Sequence, residues 1–211
     1  LKKIIKHIDS AIKKLYGLDF SYTADLYLIN SRPEKIQKTF ANPELQGALY
    51  LYSENNDLDD CDIGIYLSSR VKLHLKSFLH WKKNNWSHAQ LSAFCIATEE
   101  VSHFNYFLNA SLQNKKVSQL DLETQGDIDK FLVTYFSNCN ARQNNKELFE
   151  DLFEKLFQNF KLSEDLDDKK KLRYLKANSE ASQFIMSIKP RIILGSLEES
   201  CLKIIRKHYN R

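Results

Sequence analysis

The chain has 211 residues, 43% of them hydrophobic and 12% aromatic, enough apolar material to bury a core and too much for a disordered segment. Its 31 basic and 27 acidic side chains leave a formal charge of +4, spread along the sequence and short of the concentrated excess of a nucleic-acid binder. The cysteines, at positions 61, 95, 139 and 201, form no CxxC pair, which fits a reducing, cytoplasmic setting with Cys95 as a buried free thiol.

The opening segment LKKIIKHIDSAIKKLYG is basic and amphipathic and reads as a core-docking helix with a lysine-rich outer face. Its apolar runs are too short for a signal peptide or a spanning helix. Residues 24–30, ADLYLIN, alternate as a strand, and Pro33 suits the first turn of a short helix after it. GALYLYS (47–53) and CDIGIYL (61–67) form a β-hairpin around the acidic loop ENNDLDD. That loop is not a calcium loop, because the sixth position counted from Asp57 is Asp62 where an EF-hand needs glycine.

From Ser68 onward the pattern is helical. RVKLHLKSFLHW (70–81) places Val71, Leu75, Phe78 and Leu79 on one stripe, so its lysines form a solvated face and nucleic-acid binding is a minor reading. Ser87 and Gln90 make a capping box that opens a long helix over 88–112. A helix follows Ser118, and NKELFEDLFEKLF (145–157) lines Leu148, Phe149, Leu152, Phe153, Leu156 and Phe157 along a core-facing side. A fourth helix runs from about 167 to 189 and stops before Pro190, and the last opens with a box from Ser196 to Glu199. The expected fold is α+β and predominantly helical: one domain, with an α/β lobe over 1–86 and a helical lobe over 87–211.

Within the helix over 88–112, Phe94, Ala97, Val101, Phe104 and Leu108 make one apolar stripe, and Glu99 and His103 fall opposite it. Ile96, Phe107 and Ala110 share their side, so this helix is apolar on two faces and central, and its ionisable pair needs partners or a metal. In LDLETQGDIDKF (120–131), Glu123 and Asp127 lie one turn apart with Gly126 between them. Glycine inside a helix costs about 1 kcal/mol relative to alanine, which close approach of a neighbour would explain. The two helices would then bring Glu99, His103, Glu123 and Asp127 together.

Residues 99–127 resemble the gluzincin metallopeptidases, in which HExxH on one helix and a glutamate from ExxxD on the next hold zinc. Here the first segment reads Glu99-Glu100-Val101-Ser102-His103, with glutamate in place of the first histidine, and the second reads Glu123-Thr124-Gln125-Gly126-Asp127. The resemblance implies Glu99, His103 and Glu123 as ligands, Glu100 as general base and Asp127 as the group orienting His103. Two carboxylates and one imidazole suit zinc, manganese or iron. Arg173 and Tyr174 are candidates for steadying an oxyanion or substrate.

Glu100-x-x-His103 also matches one element of the ferritin-like di-iron proteins, which need two. No phosphate-binding glycine loop or GxSxG motif occurs. The functional expectation is a zincin-like, degenerate hydrolase binding one divalent metal, with protein or peptide as partner. The alternative is a non-enzymatic interaction or regulatory protein in which the same Glu, His and Asp residues form a structural network.

Overall fold

Ile4, Ile5, Ile8, Ile12 and Leu15 recur at the spacing that puts them on one side of a helix, and Lys2–Tyr16 (α1) buries all five together with Tyr16. Gly17 ends α1 at φ 67°, in the left-handed region open to a residue without Cβ, and its N–H closes on the Lys13 carbonyl. The computed structural model of the chain describes residues 1–31, 46–53, 61–76, 86–138, 145–160, 162, 166–194 and 198–210. The Pro33 helix, the ENNDLDD loop and the end of the helix expected over 70–81 lie outside the described residues.

The strand expected over 24–30 is shorter than its alternation suggests. Ala24–Leu26 form a 3-10 turn, and the N–H groups of Leu26 and Tyr27 bond back to the carbonyls of Thr23 and Ala24. Those groups are thereby lost to a sheet, and only Leu28–Ile29 (β1) pairs. The hairpin is present: Gly47–Ser53 (β2) and Cys61–Leu67 (β3) run antiparallel, from Gly47 opposite Leu67 to Ser53 opposite Cys61. β1 adds in parallel on the other side of β3, giving a three-stranded mixed sheet in the order β1-β3-β2.

Helices follow. Ser69–Lys76 (α2) buries Val71 and Leu75. His88–Leu112 (α3) starts at the expected box: the Gln90 N–H donates to Ser87 Oγ at 3.2 Å and the Ser87 N–H to Gln90 Oε1 at 3.0 Å. Gln119–Asn138 (α4) is the main partner of α3, which also packs on α1, α2 and the sheet. Asn145–Phe153 (α5) widens into a π-helical turn, Glu154–Gln158, and sets Phe149, Phe153 and Phe157 around Phe131 of α4.

Asp168–Ile192 (α6) is capped by Asp167, whose carboxylate accepts the Lys170 N–H at 2.8 Å. It does not stop before Pro190. The proline lies in the last turn, where its missing N–H deprives only the carbonyl of the half-exposed Met186, while continuing the helix buries Ile192. Glu199–Tyr209 (α7) has Glu198 as its N-cap and no side-chain cap; Ser196 lies outside the described residues.

One hydrophobic cluster runs from Ile4 on α1 to Tyr209 on α7, and the protein is mostly helical with a small sheet in its N-terminal half. Cys95 and Cys201 are buried free thiols, and burial pushes that of Cys95 up to about 11. Among the described residues no helix is long and apolar enough to cross a membrane.

A polar layer crosses this core where α1, α3 and α4 meet. Asp129, fully buried, accepts hydrogen bonds from the Tyr16 hydroxyl, from Ser102 Oγ at 2.6 Å and from Gln125 Nε2 at 3.1 Å. Burial nevertheless outweighs these donors and raises its carboxyl to about 6. A carboxyl raised in the folded state favours folding in its protonated form, so this contribution is complete below pH 3.8 and is lost as pH climbs through about 6. Asp129→Asn is always neutral at this position. Urea denaturation should show the stability of the wild type relative to this variant falling between pH 4 and 6, by an amount on the order of 2–3 kcal/mol.

Candidate metal centre

Glu99 and His103 project from α3 on the side away from its apolar stripe, whose members Phe94, Ala97, Val101 and Phe104 are fully buried. Glu123 projects from α4. One ligand atom from each of Glu99, His103 and Glu123 lies within 4.8 Å of the other two. Donors bound at roughly 2.1 Å to one ion stand roughly 3–4 Å apart, so small side-chain rotations would draw these three onto a single cation.

Gly126 is what lets α4 come this near. A Cβ added there would sit 3.0 Å from His103 Nε2 and 3.3 Å from Glu99 Cγ. The close neighbours are therefore the two polar side chains of α3 rather than its backbone. His103 is only 12% exposed, and its Nε2 is buried with no hydrogen-bond partner among the described residues. A buried ring nitrogen without a partner is costly in a folded protein unless something fills the gap.

The other ring nitrogen faces Glu100. Glu100 Oε2 lies 3.6 Å from His103 Nδ1, an ion-pair distance rather than a hydrogen bond. Glu100 is itself buried and wedged beneath β2, where a Cβ on Gly47 would meet its Oε1 at 2.8 Å. The lack of a side chain at Gly47 thus leaves Glu100 the room it takes up beside the histidine. Asp127, expected to orient His103, instead pairs with Lys130 at 2.6 Å, and Lys130 also holds Glu99 Oε2 at 3.0 Å.

The charges follow from this geometry. Burial would lower His103, but Glu100, Glu99 and Glu123 outweigh it and hold the imidazole at about 9. Burial raises Glu123 to about 7 and also raises Glu100 and Asp127. Glu99 goes the other way, because Lys130 and His103 overcome its burial. Glu99 and Asp127 in turn keep the part-buried Lys130 ammonium protonated.

Arg173 and Tyr174 arrive from α6. Arg173 Nη2 stands 3.7 Å from Glu123 Oε1, and its Nη1 donates to Gln119 Oε1. Burial, and then the charges of Glu123 and Glu99, push the Tyr174 phenol up to about 12, so it stays a hydroxyl donor. Lys130 was the residue whose part sequence reasoning missed. Its place beside Asp127 on one face of α4 suits a solvated stripe, and only the approach of Glu99 across the helix interface makes it a part-buried counter-ion.

No protein-family pattern, curated protein or solved structure matches this chain.

Gly126→Ala separates helix stability from ligand geometry. Alanine gains about 1 kcal/mol of helix propensity, offset by crowding against the imidazole. The metal-free variant should unfold in urea within about 1 kcal/mol of the wild type. Where Glu99, His103 and Glu123 hold a cation, affinity for Zn2+ or Mn2+ by calorimetric titration should fall about tenfold or more, because the new methyl displaces Nε2.

Proposed function

We propose that the chain binds one divalent cation through Glu99, His103 and Glu123, as a zincin-like centre of a metal-dependent, peptidase-type hydrolase. The observation that supports this reading is the buried Nε2 of His103, which has no hydrogen-bond partner among the described residues and belongs to a histidine with a ligand atom within 4.8 Å of two carboxylates. The residues fit such an ion: one imidazole and two carboxylates satisfy zinc, manganese or iron, and as few as three protein ligands leave coordination positions open. A bound cation would supply Lewis acidity, weakened here by the second carboxylate.

The chain's own residues have separate tasks in this reading. Arg173 and Tyr174, both near Glu123, supply donors toward an oxyanion or a polarised carbonyl. Glu100 has two candidate tasks, general base by the resemblance and orienter of the imidazole by its position at Nδ1. Its burial under β2 favours the second, a carboxylate–histidine–metal relay. The partner class is protein or peptide.

A structural network without catalysis is the second reading, favoured by Lys130, whose ammonium ties Glu99 to Asp127 without any ion. Elemental analysis of tag-free protein distinguishes the two. One ion per chain, lost in His103→Ala, is the expected result. A fully folded protein that holds no ion and shows no shift in Tm with added Zn2+, Mn2+ or Fe2+ rejects the metal centre.

Glu100→Gln resolves the role of that side chain. If Glu100 orients His103, the variant should bind the cation roughly 10- to 100-fold more weakly. Unchanged metal affinity combined with lost hydrolysis of a peptide library would assign it as the base instead.

A further inference from the structure

Three helices, α1, α4 and α7, border a cavity of about 350 Å3 whose apolar walls come from Ala11, Leu15, Val133, Phe136 and Leu202. Val133 lies ten residues beyond Glu123 on α4, roughly 15 Å along the helix, so the cavity is separate from the metal centre. Leu15 and Val133 are buried, whereas Ala11, Phe136 and Leu202 keep part of their surface accessible. Covering apolar surface that water now touches is favourable in proportion to its area, so the cavity rewards a ligand with a hydrocarbon body.

The ionisable groups of the lining are all basic, His7, Lys14 and Arg206, with no carboxylate beside them. Burial draws His7 below its ordinary value, which leaves it uncharged at neutral pH, so the standing charges are those of Lys14 and Arg206. Arg206 is partly engaged: its Nε donates to the Leu15 carbonyl at 3.2 Å, and its Nη1 stands 3.6 Å from Glu199, which is outside the lining. Lys14 is exposed and makes no ion pair or side-chain hydrogen bond among the described residues. Its ammonium can therefore swing to a ligand without giving up a partner. Hydrocarbon walls beside an unanswered positive charge complement an anion with an apolar body. Phe136 is the one ring among the apolar side chains of the wall, which suits a flexible aliphatic chain over a flat aromatic acid.

We infer that this cavity binds a medium-chain fatty acid, with the hydrocarbon chain between α1, α4 and α7 and the carboxylate at Lys14 and Arg206. Its volume lies at the lower end of the roughly 300–1,000 Å3 of small-molecule sites, which limits the chain to about eight to twelve carbons. A cationic head group would meet like charge at the same place, and a neutral one would gain the chain's burial without the ion pair.

Calorimetric titration of the full chain at low salt, in EDTA, with hexanoate, octanoate, decanoate and dodecanoate below their micelle concentrations tests it. Octanol, octyltrimethylammonium, naphthoate and acetate are the controls. Affinity should rise roughly two- to fourfold with each added methylene until the chain outgrows the cavity, and octanoate should bind several times more tightly than octanol or the ammonium. Lys14→Gln removes the free charge and should weaken decanoate about threefold. Ala11→Leu puts a side chain into the cavity and should weaken it about tenfold or more. Both positions lie on the outer side of α1, and thermal melting checks that each variant is folded. Absence of binding by every fatty acid in the low millimolar range, octanol or the ammonium matching octanoate, naphthoate binding better than decanoate, or wild-type affinity in either folded variant would overturn the assignment. Because EDTA is present, failure of the metal centre leaves these outcomes untouched.

Discussion

The approach of α4 to α3 at Gly126 is the constraint on which the rest of the structure depends. Without a side chain at that position the two helices meet closely enough for His103 and Glu99 to lie directly over the α4 backbone. Two polar groupings result. Ser102, Gln125 and Asp129 form one with Tyr16 of α1, and Glu99, His103 and Glu123 form the other beneath α6. Burying this many ionisable groups is costly, and each grouping meets the cost differently.

The Asp129 grouping is closed, since three neutral donors surround one carboxyl and nothing more is needed. The second is open: it brings Glu99, Glu100, Glu123 and Asp127 together against Lys130, Arg173 and a histidine. Lys130 satisfies Glu99 and Asp127, Arg173 reaches toward Glu123, and Glu100 faces one nitrogen of His103. The other nitrogen, buried, has no hydrogen-bond partner among the described residues. The carboxylates around this one histidine explain why its imidazole is held protonated. The hairpin contributes indirectly, because Gly47 on β2 has no side chain to obstruct Glu100.

Elements that depend on neighbours in sequence were the legible ones. The Ser87–Gln90 box, the isoleucine stripe of α1 and the paired strands around residues 54–60 all rest on local periodicity and turn chemistry. The Glu99, His103 and Glu123 grouping was legible because both segments place their groups one turn apart and Gly126 marks where the helices touch. The failures were of another kind. The strand at 24–30 lost most of its length to a 3-10 turn, and α6 ran through Pro190 because burying Ile192 favoured continuing it.

The sequence by itself determined where the helices and the hairpin lie, and which acidic and imidazole side chains share a face, since those follow from spacing along one chain. Only the tertiary structure decided that Lys130 neutralises Glu99 across the interface and that Glu100 rather than Asp127 stands at the histidine's Nδ1. Partners distant in the chain are chosen by which helix faces come into contact. That choice is made by the summed packing of the whole core, which no single segment encodes.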